Sequence, residues 1–378
     1  MILLIFTCLF SLKITAGEIP YFLRSPRAML MGDAFVAAPD DEFSIYYNPA
    51  TLGNGKILEF SSINPTFGFS NILSEMDKFD NFPNDPSEIA RRIMNTPLFL
   101  QTMGGPVLKF GSFGLGLFAN MSSNFILRNV IYPQLEVDYR FDKGFITSYA
   151  HSWGRGGKQS KYNPYEKVKI SSAGYRLSIG ASVKYIDRSV LLGNYSLFGV
   201  RLLNAISTGS NDLSQIRSNL GYARGSAWGI DSGLSFLYSN GKSELTFGLS
   251  LLDIAGTNFT RKSGEVSISE QPMIITSGFS FSQKRAGFGY RLSADLHPIN
   301  SSLDFFRTLH LGGIVSLPIV DLFVGYGSGY LSYGAQVDLW LLKLTAGFYG
   351  VEIGTSYREQ EAPRAVIQIS LFDLAYDI

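Results

Sequence analysis

From Trp228 to Ser239 the side chains alternate, and this alternation constrains the fold more than any other feature of the chain. Trp228, Ile230, Ser232, Leu234, Phe236 and Tyr238 share one face, and Gly229, Asp231, Gly233, Ser235, Leu237 and Ser239 share the other. Successive side chains of a strand point to opposite faces, so one face is apolar and the other mostly small and polar. The aromatic ends suit a tilted strand of about 9–11 residues that crosses a bilayer between two aromatic girdles. Asn240-Gly241 then supplies a hairpin turn, since both residues tolerate positive φ. The return strand sets Leu245, Phe247, Leu249 and Leu251 against Glu244, Thr246, Gly248 and Ser250.

The pattern recurs. Tyr175, Leu177, Ile179, Ala181, Val183 and Tyr185 oppose Arg176, Ser178, Gly180, Ser182 and Lys184. Phe288, Tyr290, Leu292, Ala294 and Leu296 oppose Gly289, Arg291, Ser293 and Asp295, and Leu135, Val137, Tyr139 and Phe141 oppose Glu136, Asp138 and Arg140. The charges fall on the polar face, which in a barrel is the lumen. A Lys or Arg facing lipid at mid-depth costs roughly 2–4 kcal/mol. A soluble β-sandwich also alternates, but its outer face would carry many more Lys, Glu and Asp. Charged residues are only 17% of this chain, against roughly 25% in soluble domains, and aromatic residues are 14%. No stretch after the N-terminus has 18 consecutive apolar residues, so helical spans are excluded.

The expected fold is all-β: a transmembrane antiparallel β-barrel of about 14 strands, with an N-terminal plug inside the lumen. The strand candidates are 57–72 (bent at Pro65), 105–122, 132–141, 143–153, 173–187, 226–239, 241–254, 272–283, 285–297, 307–317, 320–327, 329–339, 340–350 and 364–374. Segments 57–72 and 105–122 are each alternatively hairpins. An even count is expected in a single-chain bacterial barrel. Three long connections interrupt the hairpins: 73–104 with a helical pattern over 86–94, the basic 154–170, and 188–225 with an apolar run, Leu197 to Leu203. Long connections in such barrels usually lie on the extracellular side.

Residues 1–16 read as a signal peptide, with an apolar run from Ile2 to Leu12 and small residues before the cleavage point at Ala16. Cys8, the only cysteine, lies in that run without the small residue before it that a lipoprotein site needs, and cleavage leaves no thiol for disulfides, metal or nucleophilic chemistry. The net charge of +1 leaves no footprint for nucleic acid. Residues 17–55 form a compact N-terminal segment and 56–378 the barrel.

That segment carries a motif. Gly32-Asp33-Ala34-Phe35-Val36-Ala37, then Asp40-Asp41, then Ile45-Tyr46-Tyr47-Asn48-Pro49-Ala50-Thr51-Leu52-Gly53 resembles the N-terminal hatch of the FadL family of outer-membrane transporters for hydrophobic compounds. The wider set with PorV-type and TraF-like proteins is similar too. Leu309 to Gly313, Tyr330, Gly334 and Glu352-Ile353-Gly354 resemble the same relatives. The resemblance implies a plugged barrel of about 14 strands in the bacterial outer membrane. Substrate would enter from outside and leave when the hatch shifts, or laterally through a gap in the wall. It also implies that Asn48, Pro49 and Ala50 belong to the hatch. Thr51 departs from the family's Gly, and the chain ends in Phe372 to Ile378 rather than in an aromatic residue directly after the last strand.

The residues add a physical account. Pro49 biases Asn48 to an extended backbone, and Asn48 can cap a turn or bond the wall. Tyr46 and Tyr47 are large enough to wedge the segment against the lumen. The candidate ligand and gate residues are Asn48, Pro49, Ala50, Tyr46, Tyr47 and Phe35. Arg176, Arg291 and Asp295 are the candidate polar residues of the lumen, with Asp33, Asp40, Asp41 and Glu42 as partners for the two arginines. His151, His297 and His310 have no metal-ligand spacing, and His297, before Pro298, reads as a turn residue. The chain has neither a nucleophile elbow nor a P-loop. No enzyme activity, metal or cofactor is expected.

The leading functional reading is passive transport of hydrophobic small molecules or lipids, of the long-chain fatty-acid kind. The alternative is a non-transporting barrel that anchors a secretion-complex or surface partner, as in the PorV-type relatives. An apolar path from the outer connections to the N-terminal segment favours the first; a sealed polar lumen beneath a large outer platform favours the second. A polar diffusion porin is disfavoured by the plug.

Overall fold

The computed structural model describes residues 18–19, 21–54, 57–71, 88, 91–92, 94–129, 131–154, 173–196, 220–264, 266–285, 287–339, 342–371 and 374–377. The expected signal peptide, the run from Leu197 to Leu203 and most of the 86–94 helical pattern lie outside them.

The strands in chain order are β1 (Ile57–Ser61), β2 (Thr66–Ser70), β3 (Leu98–Gly104), β4 (Val107–Phe110), β5 (Phe113–Arg128), β6 (Gln134–Trp153), β7 (Gly174–Ser196), β8 (Tyr222–Ser239), β9 (Ser243–Leu252), β10 (Thr260–Ser263), β11 (Ile274–Arg285), β12 (Phe288–Leu296), β13 (Leu309–Ser316), β14 (Val320–Gly327), β15 (Tyr330–Asp338), β16 (Leu342–Glu352), β17 (Glu361–Leu371) and β18 (Leu374–Asp377). They form one 18-stranded antiparallel sheet. β1 and β2 run end to end between the β3/β4 pair and the β17/β18 pair, and β9 and β10 both lie against β8. The 18 strands therefore fill 14 positions, four of them doubly, and the first position pairs with the last. Closure removes every sheet edge from lipid, which is what lets strands cross a bilayer.

The expected count is met because one pair of candidates merges while another candidate folds as its hairpin alternative. Candidates 132–141 and 143–153 are one strand, β6, and candidate 105–122 is the hairpin of β4 and β5, turning at Gly111 with φ 57°. Segment 57–72 is bent at Pro65, not folded into a hairpin. The last position continues past Leu371 in β18, so the C-terminal residues are still part of the wall.

The outer face is the apolar one. Trp228 is 61% exposed while Leu237, on the opposite face, is fully buried. Phe145, Tyr185 and Trp228 are cross-strand neighbours at one end of this belt, and Tyr175 and Tyr238 pair at the other. A closed ring with such a belt is built to sit in a bilayer. No helix among the described residues is long and apolar enough to cross a membrane.

Short turns at 111–112, 240–242 and 317–319 mark one end of the ring, the end where β1 begins and β18 stops. The connections 71–97 and 197–221 leave from the other end. The connection 154–173 joins β6 to β7 at the short-turn end, so this long connection is not on the same side as the other two, as length alone had suggested.

The N-terminal segment is buried against inward faces around the ring. It carries helix α1 (Pro26–Leu30), helix α2 (Ser44–Tyr47) and a 3-10 turn (Pro49–Asn54). Ser25 caps α1, its hydroxyl accepting from the Arg27 and Ala28 amides. Pro49 and Ala50 lie against Gly180, Asn48 against Gly233, Ala37 against Gly248, and Met31 against Gly312 and Gly325.

The orientation of β8 predicts a depth-dependent cost. Leu234→Arg should destabilise the barrel in lipid vesicles by roughly 2–4 kcal/mol, and Ser226→Arg, beyond the girdle, by about 0–1 kcal/mol. Urea unfolding followed by tryptophan fluorescence measures both.

Candidate functional site

Asn48 is fully buried and occupies the junction between α2 and the 3-10 turn. Its backbone is extended (φ −156°, ψ 99°), as the following proline requires. Its Nδ2 donates to Val36 O at 3.1 Å and, across the interface with the wall, to Leu234 O at 3.2 Å. Its Oδ1 accepts from the Ala50 amide at 3.1 Å. One side chain thus both caps the turn and bonds the wall. A Cβ at Gly233 would overlap its Oδ1, so the wall position opposite must be glycine.

The other candidates from the motif gather around it. Tyr46 packs edge-on to Phe118 of the wall, with ring centroids 6.1 Å apart. Tyr47 packs edge-on to Phe35 at 5.2 Å, its hydroxyl accepts from the Ser25 amide at 3.0 Å, and its carbonyl accepts from Ser250 Oγ at 2.6 Å. Pro49 and Ala50 approach the backbone at Gly180 so closely that a Cβ there would stand 2.5 Å from the Ala50 nitrogen.

Of the expected polar lumen residues, Asp295 accepts from the amides of Phe35 at 2.6 Å and Val36 at 2.8 Å. Arg291 pairs with Asp40 at 3.0 Å and donates to Ala38 O at 3.1 Å. Arg176 instead donates to Gly53 O at 3.1 Å, so the expected pairing with an acidic residue of the segment does not hold for it. Asp33 pairs with Arg24 inside the segment, and Asp41 accepts from Ser25 Oγ. Burial pushes the Asp41 carboxyl up to about 7, Glu42 adding in the same direction and Arg27 opposing it. Glu42 accepts from Asn64 at 2.9 Å and from Gln368 at 3.1 Å, bridging the first and last wall positions.

Two features escaped the sequence. Arg364 on β17 donates twice to Glu18, at 2.8 and 2.7 Å, and stacks on Phe99. The even-numbered inward face of β17 was the signal available for it. His297, expected as a turn residue, is buried: its ring stacks on His310 with centroids 3.7 Å apart, and Tyr21 Oη lies 2.5 Å from its Nε2. The antiparallel register, with Asp295 opposite His310, brings the two rings together. Among the described residues no group of three or more His, Cys, Asp or Glu is placed to hold a metal ion.

Cavities adjoin the segment: one of about 10 Å³ is lined by Tyr21, Arg24, Asp33, Tyr330 and Tyr349, and two others reach β3 and β5. The larger, about 110 Å³, is bounded by residues 18–24 and the wall, and Arg24, Arg140, Arg364, Asn120 and Phe99 line it. The smaller, about 10 Å³ and so room for about one water, is lined mostly by apolar groups of Leu23, Phe43, Tyr46, Val107 and Phe118, with Glu42 and Asn64 beside them. Phe118 faces inward, and its neighbour Leu117 on β5 also borders this cavity, which therefore lies against the wall. The wall is interrupted there. β1 gives way to β2 through Pro65, and β3 to β4 through Gly105-Pro106, at neighbouring positions: a Cβ at Gly104 would lie 3.3 Å from Asn64 O. Proline brings no N–H to the ladder.

No family model matches the chain, and no curated protein matches it. Among solved structures, the chain is similar to the toluene transporter TbuX of Ralstonia pickettii (TM-score 0.45, 12% identity, 93% of this chain and 98% of that one). It is also similar to the toluene transporter TodX of Pseudomonas putida (TM-score 0.46, 11% identity, 94% and 99%) and to a Pseudomonas aeruginosa FadL homologue (TM-score 0.33, 10% identity, 96% and 100%).

Asn48→Ala removes three hydrogen bonds and leaves Val36 O, Leu234 O and the Ala50 amide without these partners. The hold of the segment on the wall should weaken by about 1–3 kcal/mol. Hydrogen exchange in detergent should show faster exchange over residues 21–54, with the wall strands unchanged.

Proposed function

We propose that this barrel lies in the bacterial outer membrane and passes hydrophobic small molecules, of the long-chain fatty-acid kind, by passive diffusion. The N-terminal segment is the plug and the gate, with Asn48, Pro49 and Ala50 at its contact with the wall. The observation that carries this reading is the mostly apolar cavity of about 10 Å³ beside the interrupted wall, bordered by Tyr46 and Phe43 of the segment and by Leu117 and Phe118 of β5. A small shift of α2 would widen it into a side exit. An apolar molecule gains about 0.8 kcal/mol for each methylene it removes from water, so a route that opens onto lipid needs no energy source and no chemistry at the site. The likeness of Gly32 to Gly53 to the FadL hatch points the same way.

A second reading is an anchoring subunit without transport. The charged lining of the larger cavity favours it, since Arg24, Arg140 and Arg364 offer little to a hydrocarbon.

A cross-link separates the two. A Cβ at Gly114 would lie 3.0 Å from Ile45 Cγ2, close to the spacing across a disulfide. In the Ile45→Cys/Gly114→Cys protein, oxidation should pin α2 to β5 and reduce uptake of labelled oleate by expressing cells to the level of cells without the barrel. Reduction should restore it. Full uptake by the oxidised protein would show that the segment is not the gate, and no uptake by folded wild type would favour the anchor.

A further inference from the structure

The outer face carries a charged cluster just beyond one aromatic girdle. Phe145 on β6 lies opposite Tyr185 on β7, which lies opposite Trp228 on β8. The Tyr185 and Trp228 rings are 5.1 Å apart and those of Phe145 and Trp228 5.8 Å. The next outward position along each strand holds Lys143, Asp187 and Ser226, again directly across from one another. Arg224 follows on β8, and β10 brings Lys262 alongside.

These groups converge on one carboxylate. Arg224 donates to both Asp187 oxygens, at 2.7 and 2.9 Å. Lys262 Nζ lies 3.3 Å from Asp187 Oδ2 and 3.1 Å from the Tyr185 hydroxyl. The Arg224 and Lys262 side chains are 43% and 45% exposed. Arg224 and Lys262 thus bind a single anion, Lys143 stands directly across the ladder from it, and the four groups sum to +2. Arg224 spends two of its five N–H donors on Asp187, which leaves the rest of its fork for another acceptor.

Depth identifies that acceptor. Aromatic girdles mark the level of the lipid headgroups, so a cluster one step beyond the girdle faces neither acyl chains nor bulk water. It lies at the end of the connections 71–97 and 197–221, away from the turns 111–112, 240–242 and 317–319; short turns face the periplasm in such barrels, so this end is the outer leaflet. We propose that Lys143, Arg224 and Lys262 bind the phosphate of an outer-leaflet lipid, a phosphorylated glycolipid, with Asp187 holding the guanidinium in place. A phosphate monoester carries about −1.5 to −2 charge and three acceptor oxygens, which matches the cluster's excess. Arg–phosphate pairing is frequently bidentate. The inference rests on the bilayer placement of the barrel and not on what the barrel transports.

The test uses the full-length barrel purified in detergent and deep-rough lipopolysaccharide as the probe, with its enzymatically dephosphorylated form alongside. Lipid retained per protein is read by native mass spectrometry. Wild type should retain about tenfold more of the phosphorylated lipid than of the dephosphorylated one. The Lys143→Gln/Arg224→Gln/Lys262→Gln protein should lose that preference, while Lys242→Gln, at the opposite rim, should keep it. Equal retention by wild type and the triple variant, or of the two lipids by wild type, would overturn the proposal. So would displacement by millimolar inorganic phosphate, which would assign the cluster to free phosphate. A band that shifts on boiling shows that each variant is a folded barrel, so failure of the barrel reading is told apart from failure of the lipid site.

Discussion

At its closest approaches to the wall, the N-terminal segment meets glycine, where the wall has no side-chain thickness. The backbone of Met31 and Gly32 lies directly on Gly325, and that of Pro49 and Ala50 on Gly180. This close approach is what the rest of the interior depends on. It lets main-chain groups of the segment and polar groups of the wall reach one another, as Asp295 reaches the amides of Phe35 and Val36. A segment with little regular structure of its own leaves many backbone donors and acceptors to satisfy. Here the wall supplies many of the partners, and the small inward residues that make this possible also give the strands their alternation.

Charge follows the same logic. The inward charges Asp142, Lys184, Arg188 and Asp231 of β6, β7 and β8 are buried and paired: Lys184 sits 2.8 Å from Asp231 and 3.0 Å from Asp253, just past β9, and Arg188 grips Asp142 at 2.7 Å. Burying such groups is costly, and breaking one pair leaves an uncompensated charge. They specify where the inner elements sit more than they add stability. The outward charges of the same strands lie only beyond the girdle, where headgroups and water replace hydrocarbon.

The faces of the strands were legible because an apolar outer face and a small, polar inner face impose opposite chemistries on alternate residues. Strand ends were harder, for a physical reason. Lys143 on the outward face looked like the end of a strand, but it marks only where β6 leaves the bilayer, and the ladder runs on to Gln134. The turn at Gly111-Ser112 was hidden because Phe110 and Phe113 on either side both face outward, so the apolar pattern runs through it. Within the site, the contacts of Asn48 and the pairing of Asp40 with Arg291 followed from residue type and side of the strand. The partner of Arg176 and the stacking of His297 on His310 depend on register and on how the segment is rotated in the ring, and neither leaves a local trace in the sequence.

Glu42 joins two things that the topology keeps apart. Its carboxylate holds Asn64, between β1 and β2, and Gln368, on β17, so it straddles the seam where the first and last positions of the ring meet. That seam lies beside the interrupted wall, and it joins residues about three hundred positions apart in sequence, from Arg364 with Ser70 to Asp377 with Ile57. Displacing the segment therefore costs the seam two hydrogen bonds, and strain on the seam loosens the segment by the same free energy, since such coupling is reciprocal. The hold of the segment and the closure of the ring are in this sense coupled through one carboxylate.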